Sequence, residues 1–177
     1  MGTIKLPPPV QFFASIIFSD SGILSDVETE VAARIGPIEE STDFMPFTQS
    51  DYYGPEMGAG LMRRFLLFSP LLERQRLVEI KAATNMIEQA HSLEGRRSVN
   101  IDPGYIALEQ MVLGTTKGFS HRIYQGQGIF ADLTLIYENG TYCSLPWTYP
   151  DYGGKEMISL LNQWRERYKR TLRCQKA

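Results

Sequence analysis

Apolar residues fill Val10 to Phe18 almost without a break, the pattern of a strand covered on both faces. Polar residues take over at Ser19-Asp20-Ser21, where Asp20 or Ser21 can cap a helix. That helix carries Leu24, Val27, Val31 and Ile35 on one face and stops at Gly36-Pro37. A second strand is expected over 38–47 and a third over Leu61 to Phe68. Ser69-Pro70 should open a long helix with Leu77, Ile80, Ala83, Ile87 and Ala90 on one side, ending near Gly95. Val99 to Ile101 is a short strand, after which Asp102-Pro103 pairs a capping carboxylate with a proline suited to a first helical turn. The third helix expected there would turn Tyr105, Leu108 and Val112 inward. Gly118 to Tyr124, Ile129 to Tyr137 and Thr141 to Leu145 read as strands. The last two form a hairpin at Glu138-Asn139-Gly140, where Asn-Gly supplies the positive φ angles of a tight turn. Met157, Leu161, Trp164, Tyr168 and Leu172 recur at helical spacing in a final helix.

The first four strands and two helices fall in the order β-α-β-β-α-β, so the expected class is α+β. The unit is ferredoxin-like, extended by a C-terminal β-hairpin and helices. The competing arrangement is a single mixed sheet with helices on both faces. No linker interrupts residues 1–177, which read as a single domain, with an option of two related halves meeting near residue 95. That option comes from an echo: residues 46–57 and 146–157 match without a gap at seven of twelve positions. Each copy carries a Thr, an Asp, a Tyr and a Glu at the same spacing, although the flanking sequences do not match. No repeat at the 20 to 50 residues of solenoids and propellers accompanies it.

Composition narrows the function classes. With 43% hydrophobic and 21% charged residues, 177 residues can bury a real core. A net charge of −2 argues against a surface built as a whole for nucleic acid. Cys143 and Cys174 form no CxxC or metal-ligand spacing, which favours a reducing compartment. The run from Val10 to Phe18 is too short to span a bilayer and lacks a signal-peptide cleavage site, and Leu6 breaks the myristoylation pattern. A cytoplasmic location without a membrane partner is expected.

Several stretches resemble a bacterial family of unassigned function. They are Asn100-Ile101-Asp102-Pro103-Gly104-Tyr105, Thr115-Thr116-Lys117, His121-Arg122-Ile123-Tyr124 and Leu145-Pro146-Trp147-Thr148-Tyr149-Pro150-Asp151-Tyr152. The resemblance reaches back through Asp51-Tyr52-Tyr53 and Met57-Gly58 to Arg63-Arg64-Phe65, and so covers most of the chain. Some members of that domain-of-unknown-function family carry the label GTP-binding protein. The resemblance implies no catalytic residue and no cofactor.

The residues do not support a P-loop GTPase. Gly-x-x-x-x-Gly-Lys-Ser/Thr, whose backbone N–H groups wrap phosphates, is missing, as is the guanine-reading Asn-Lys-x-Asp. Gly114-Thr115-Thr116-Lys117-Gly118 is the nearest approach, but it is expected to end a helix instead of opening one. Gly126-Gln127-Gly128 joins two strands and is no dinucleotide fingerprint.

Other residues can carry chemistry. Asp51 and Asp151, if the echo brings them together, form a carboxylate pair able to share a proton or hold a cation; alternatively each satisfies the backbone of its own turn. Asp102 is either a helix cap or a third carboxylate. His121, beside Arg122 and after Lys117, suits a general base, a metal ligand or a structural hydrogen-bonder. Arg63-Arg64 and Arg96-Arg97 offer guanidinium forks for phosphate or carboxylate. Tyr52, Trp147, Tyr149 and Tyr152 can wall a pocket. His91 suits a helix C-terminus, and the basic last helix a solvated face.

Three functions follow. The first is a small-ligand binding protein for an anionic, nucleotide or phosphate-bearing compound, contacted by Arg63, Arg64, Lys117, His121 and Arg122. The second is a metal-assisted hydrolase or transferase using Asp51, Asp102, His121 and Asp151. The third is a homo-oligomeric scaffold. No motif names a cofactor or decides between enzyme and binding protein.

Overall fold

Every residue of the first apolar run is buried, because it becomes an inner strand of a large sheet with helices on both sides. The computed structural model describes residues 2–48 and 54–175. In chain order the strands are β1 (Val10–Phe18), β2 (Ile38–Ser41), β3 (Met45–Pro46), β4 (Met62–Leu72), β5 (Ser92–Leu93), β6 (Arg96–Arg97) and β7 (Val99–Ile106). They continue with β8 (Gln110–Thr115), β9 (Arg122–Gly126), β10 (Ile129–Glu138) and β11 (Thr141–Ser144). The helices are α1 (Leu24–Ile35), α2 (Gly54–Met57), α3 (Arg76–Ala90) and α4 (Lys155–Cys174), with a 3₁₀ turn at Ser21–Ile23 in which the Gly22 N–H donates to the Asp20 carboxylate. No helix among the described residues is long and apolar enough to cross a membrane.

The class is α+β. The main sheet runs β11-β10-β8-β7-β1-β4-β2, with β3 added to β4 and β9 to β10, and every pairing in it is antiparallel. α1 joins β1 to β2 with β4 between them, and α3 leads from β4 towards β7 with β1 between them.

The alternation along β1 sorts two cores. Val10, Phe12, Ala14, Ile16 and Phe18 pack with Leu24, Val27, Val31 and Ile35 of α1 and Leu77, Ile80 and Ile87 of α3. Phe13 faces the other way and joins Phe65, Leu67, Met111 and Leu135 against Leu161, Trp164, Tyr168 and Leu172 of α4. A third, small cluster of Ile17, Phe47, Met57 and Leu61 closes the end of the sheet.

Three expectations about elements are corrected. The strand expected over 38–47 breaks at Thr42, whose N–H and Oγ1 both bond the backbone of Phe65. The helix expected from Ser69-Pro70 starts at Arg76, because β4 continues to Leu72. Its proline falls where the β1–β4 register shifts, a bulge being one of the few places a strand tolerates a missing N–H. The third correction matters most. Asp102-Pro103 opens no helix: Val99–Ile106 is one strand, with Asp102 opposite Ser15 and Pro103 opposite Ala14. The final helix, expected from the spacing of Met157, Leu161, Trp164, Tyr168 and Leu172, is α4.

Candidate functional site

β7 and β8 pair only over Gly104–Ile106 and Met111–Leu113, and then part company. β7 stays with β1 down to Val99, while β8 follows β10 to Thr115, so the sheet forks. Pro103 accounts for the fork. The N–H and C=O of Ile101 point away from β1, since they bond side chains of α3, and Pro103 two residues on shares that orientation. At the position where β7 should next donate to β8 there is no N–H to give. Asp102 therefore sits beside the proline that ends the ladder, and not at a helix start.

Below the fork the backbone of β7 needs partners, and α3 supplies them. Lys81 Nζ donates to the Ile101 carbonyl at 2.9 Å, and the Ile101 N–H donates to Glu88 Oε1 at 2.7 Å. Both side chains are buried on the stripe Lys81, Thr84, Glu88 of α3. Lys81 also reaches Asp102 Oδ1 at 3.3 Å. Asn100 donates to Asp102 Oδ2 at 2.8 Å and accepts from Arg97 at 3.1 Å. Arg97 makes a bidentate pair with Glu56 at 2.7 Å on both oxygens, and donates to Glu88 at 3.1 Å. The hydrogen bonds from Arg97 hold the Glu56 carboxyl below its usual range. Burial pushes Glu88 the other way, partly offset by Lys81.

The fork opens into a cavity of about 570 Å³. Arg63, Lys81, Arg97 and Lys117 line it, together with Glu88, Asp102, Asp132 and Asp151: four cations and four carboxylates. Asn85, Gln89 and Asn100 add amides, and Phe47, Tyr149 and Tyr152 add rings. Arg63 enters from β4 on the α4 side. Its guanidinium donates to Asp151 Oδ2 and, at 2.7 Å, to Ser15 Oγ, and lies within 4.6–5.2 Å of the ring centres of Phe65, Tyr152 and Phe47. Burial raises the Tyr152 phenol well above its ordinary pKa and keeps it protonated. Beside the cavity, His121 stacks on Trp147 at 4.9 Å and lies 3.5 Å from Asp132, which accepts from Arg122 at 2.8 Å. Arg122 continues to the Tyr149 hydroxyl at 2.7 Å.

The structure brings Arg63, Asp102, Lys117, Tyr149, Asp151 and Tyr152 to one cavity. His121, Arg122 and Trp147 form its flank through Asp132 and Tyr149. Asp51 and Tyr52 lie outside the described residues. Arg64 is elsewhere: its side chain points to the opposite face of the sheet from Arg63 and meets Glu28 at 3.0 Å and the Thr42 carbonyl at 3.0 Å. Among the described residues no three His, Cys, Asp or Glu side chains converge enough to hold a metal ion, so Asp102, His121 and Asp151 share no such centre. Lys81, Glu88, Asn100 and Asp132 were missed. Charged residues within a helix ordinarily mark its wet face, and only the buried stripe spacing of 81, 84 and 88 hints otherwise.

Searches of curated proteins and of solved structures return no significant match. A family model described as a domain of unknown function, DUF4416, matches residues 8–168. That span takes in β1, the fork and α4 as far as Tyr168, and the chain belongs to the DUF4416 family.

Proposed function

We propose that this protein binds a small polar ligand with an anionic group, of the nucleotide or phosphate-bearing class, in the cavity at the β7–β8 fork. The observation that carries the reading is the convergence of eight charged side chains on one cavity. Taking a charge out of water costs several kcal/mol even after relaxation, and a fold does not gather such groups around a void for stability. A void of this size suits a small molecule, with rings on its walls and a few convergent polar groups. Arg97 and Lys117 stand on its more exposed side. The free thiols Cys143 and Cys174 fit a reducing cytoplasm.

Thermal denaturation against a panel of nucleotides and phosphorylated metabolites tests it. A ligand at 100 times its Kd adds about 2.7 kcal/mol, which for a chain of this size raises Tm by roughly 5–10 °C. Lys117→Ala and Arg97→Ala should shrink that shift. A panel that moves Tm nowhere refutes the proposal.

A homodimer is the second reading, favoured by one observation: Phe119, Ile123, Tyr124, Trp147 and Tyr149 are all exposed, around the strand β9, which among the described residues pairs only with β10. Solution mass decides it.

A further inference from the structure

Resting on the ligand-binding reading, we propose that the part of the ligand inside the cavity is an uncharged nucleobase whose edge Asn85 and Gln89 read. The site thereby takes nucleosides and nucleotides ahead of other phosphate compounds. The charged walls argue for a neutral guest. Arg63 is paired with Asp151, Asp132 with Arg122, Lys81 with Asp102, and Arg97 with both Glu56 and Glu88. An ion entering among them has to break one of these pairs or go without a counter-charge, and either is costly away from water. A neutral group does neither.

The hydrogen-bonding capacity that α3 leaves over is neutral too. Asn85 and Gln89 line the cavity, and among the described residues neither carboxamide has a hydrogen-bond partner. Side chains four residues apart on a helix are neighbours, yet no hydrogen bond joins these two. Lys81 begins the same column one turn earlier, and exposure rises along it from buried Lys81 through half-buried Asn85 to exposed Gln89. The column thus leads from the floor of the cavity outward. Each carboxamide offers a donor and an acceptor side by side. That is the complement of a base edge, which also sets donor beside acceptor, as in the bidentate pairing of Asn or Gln with adenine. A phosphate ester or a carboxylate presents acceptors only and leaves the amide oxygens unused. Tyr149 lines the same cavity with its hydroxyl held by Arg122 at 2.7 Å and its ring 46% exposed, a face on which a base can stack.

Calorimetry on the full chain tests this with adenosine, guanosine, cytidine and uridine, their 5′-monophosphates, ribose 5-phosphate and inorganic phosphate. At least one nucleoside should bind within about tenfold of its monophosphate, and ribose 5-phosphate more weakly than that monophosphate by about tenfold or more. Asn85→Ala and Gln89→Ala should each weaken the nucleoside about tenfold without lowering Tm, because neither amide has a protein partner to lose and alanine suits a helix. Ribose 5-phosphate or inorganic phosphate binding as tightly as the nucleotides overturns the inference and leaves the ligand-binding reading standing. Binding of another phosphate compound of the wider panel, with every nucleoside silent, does the same. Nucleoside affinity untouched by both substitutions, or a Tm that falls along with it, also overturns the inference. If nothing in this set or the wider panel binds, it falls together with the reading it rests on. The comparison of nucleoside with ribose 5-phosphate on the unmodified protein stands by itself should a variant fail to fold.

Discussion

Asp151→Ala should be among the most damaging substitutions outside the two apolar cores. Arg63 is 5% exposed, and its guanidinium has Asp151 as its one carboxylate partner among the described residues, with Ser15 as a neutral acceptor and the rings of Phe65 and Tyr152 within 4.8 Å. Removing the carboxylate leaves a buried cation without a counter-charge, a change that costs about 3–5 kcal/mol. Against a total stability of roughly 5–15 kcal/mol this is a large fraction, and for a chain of this size it corresponds to a Tm lower by about 6–20 °C. The informative partner is Arg63→Met, which fills a similar volume and keeps contact with Phe47, Phe65 and Tyr152. If the damage comes from the stranded charge, the double variant Arg63→Met, Asp151→Ala should recover most of the loss. Urea titrations of the four proteins form a double-mutant cycle, and the expected coupling exceeds about 2 kcal/mol. A loss under about 1 kcal/mol for Asp151→Ala, or a double variant no better than the single, would refute the account of Arg63 as a buried, singly compensated ion. A double variant that folds but no longer binds ligand would place the pair in the binding machinery as well.

Gly104→Ala should destabilise by about 1–3 kcal/mol or more in chemical denaturation, because its Cβ would stand 2.6 Å from the Val112 carbonyl oxygen and 2.9 Å from Leu113 Cδ2. A neutral effect would mean that the last rung of the β7–β8 ladder is looser than drawn. Alkaline stability should fall from about pH 10, since burial raises the phenols of Tyr105, Tyr142, Tyr152 and Tyr168 above their unfolded value of 10.0, with Tyr168 pushed up to about 12. Because the folded state holds those protons more tightly, their contribution is complete below pH 10 and is lost as pH rises through the folded values, by up to about 1.4 kcal/mol per pH unit for each phenol. Urea midpoints followed together with phenolate absorbance check it; phenolates that titrate near their ordinary pKa with the fold intact would contradict it.

The apolar stripes of α1 and α4 and the unbroken run of β1 were legible because burial alone produces them. Leu24, Val27, Val31 and Ile35 face the core as their spacing requires, and so do Leu161, Trp164, Tyr168 and Leu172. What was not legible is the tertiary use of proline. Ser69-Pro70 and Asp102-Pro103 are both sound helix openings locally, and both lie in strands, because the two long edges of β1 offer more partners than an isolated helical turn can. The candidate site divided along the same line. Tyr149 and Tyr152 were singled out through loop composition and Asp151 through the echo of residues 46–57, whereas Lys81 and Glu88 stayed hidden because their meaning depends on what β7 lacks. Arg63 and Arg64, indistinguishable neighbours in sequence, were separated only by the alternation of β4, which sends one into the cavity and the other to Glu28 on α1.

The site and the misread helix have the same cause. An antiparallel hairpin running the full length of β7 and β8 would have bonded the Ile101 N–H and C=O to β8 and left no space between the strands. Pro103 withdraws one donor, Gly104 admits the close approach at the last rung, and from there the strands diverge. The freed backbone groups of Ile101 then demand a donor and an acceptor from α3, and Lys81 and Glu88 meet that demand at 2.9 Å and 2.7 Å. Once a lysine and a glutamate are buried for that reason, their remaining valence organises Asp102, Arg97 and Asn100 around them. The broken ladder thereby accounts for the charges that come from α3 and β7, whereas Arg63, Lys117, Asp132 and Asp151 reach the same cavity from elsewhere in the fold and answer no demand of the Ile101 backbone. The rule that follows is local: in an antiparallel sheet, a proline on the inner edge of a central strand marks where side chains replace the neighbouring strand, and there a charged helix residue belongs to the interior.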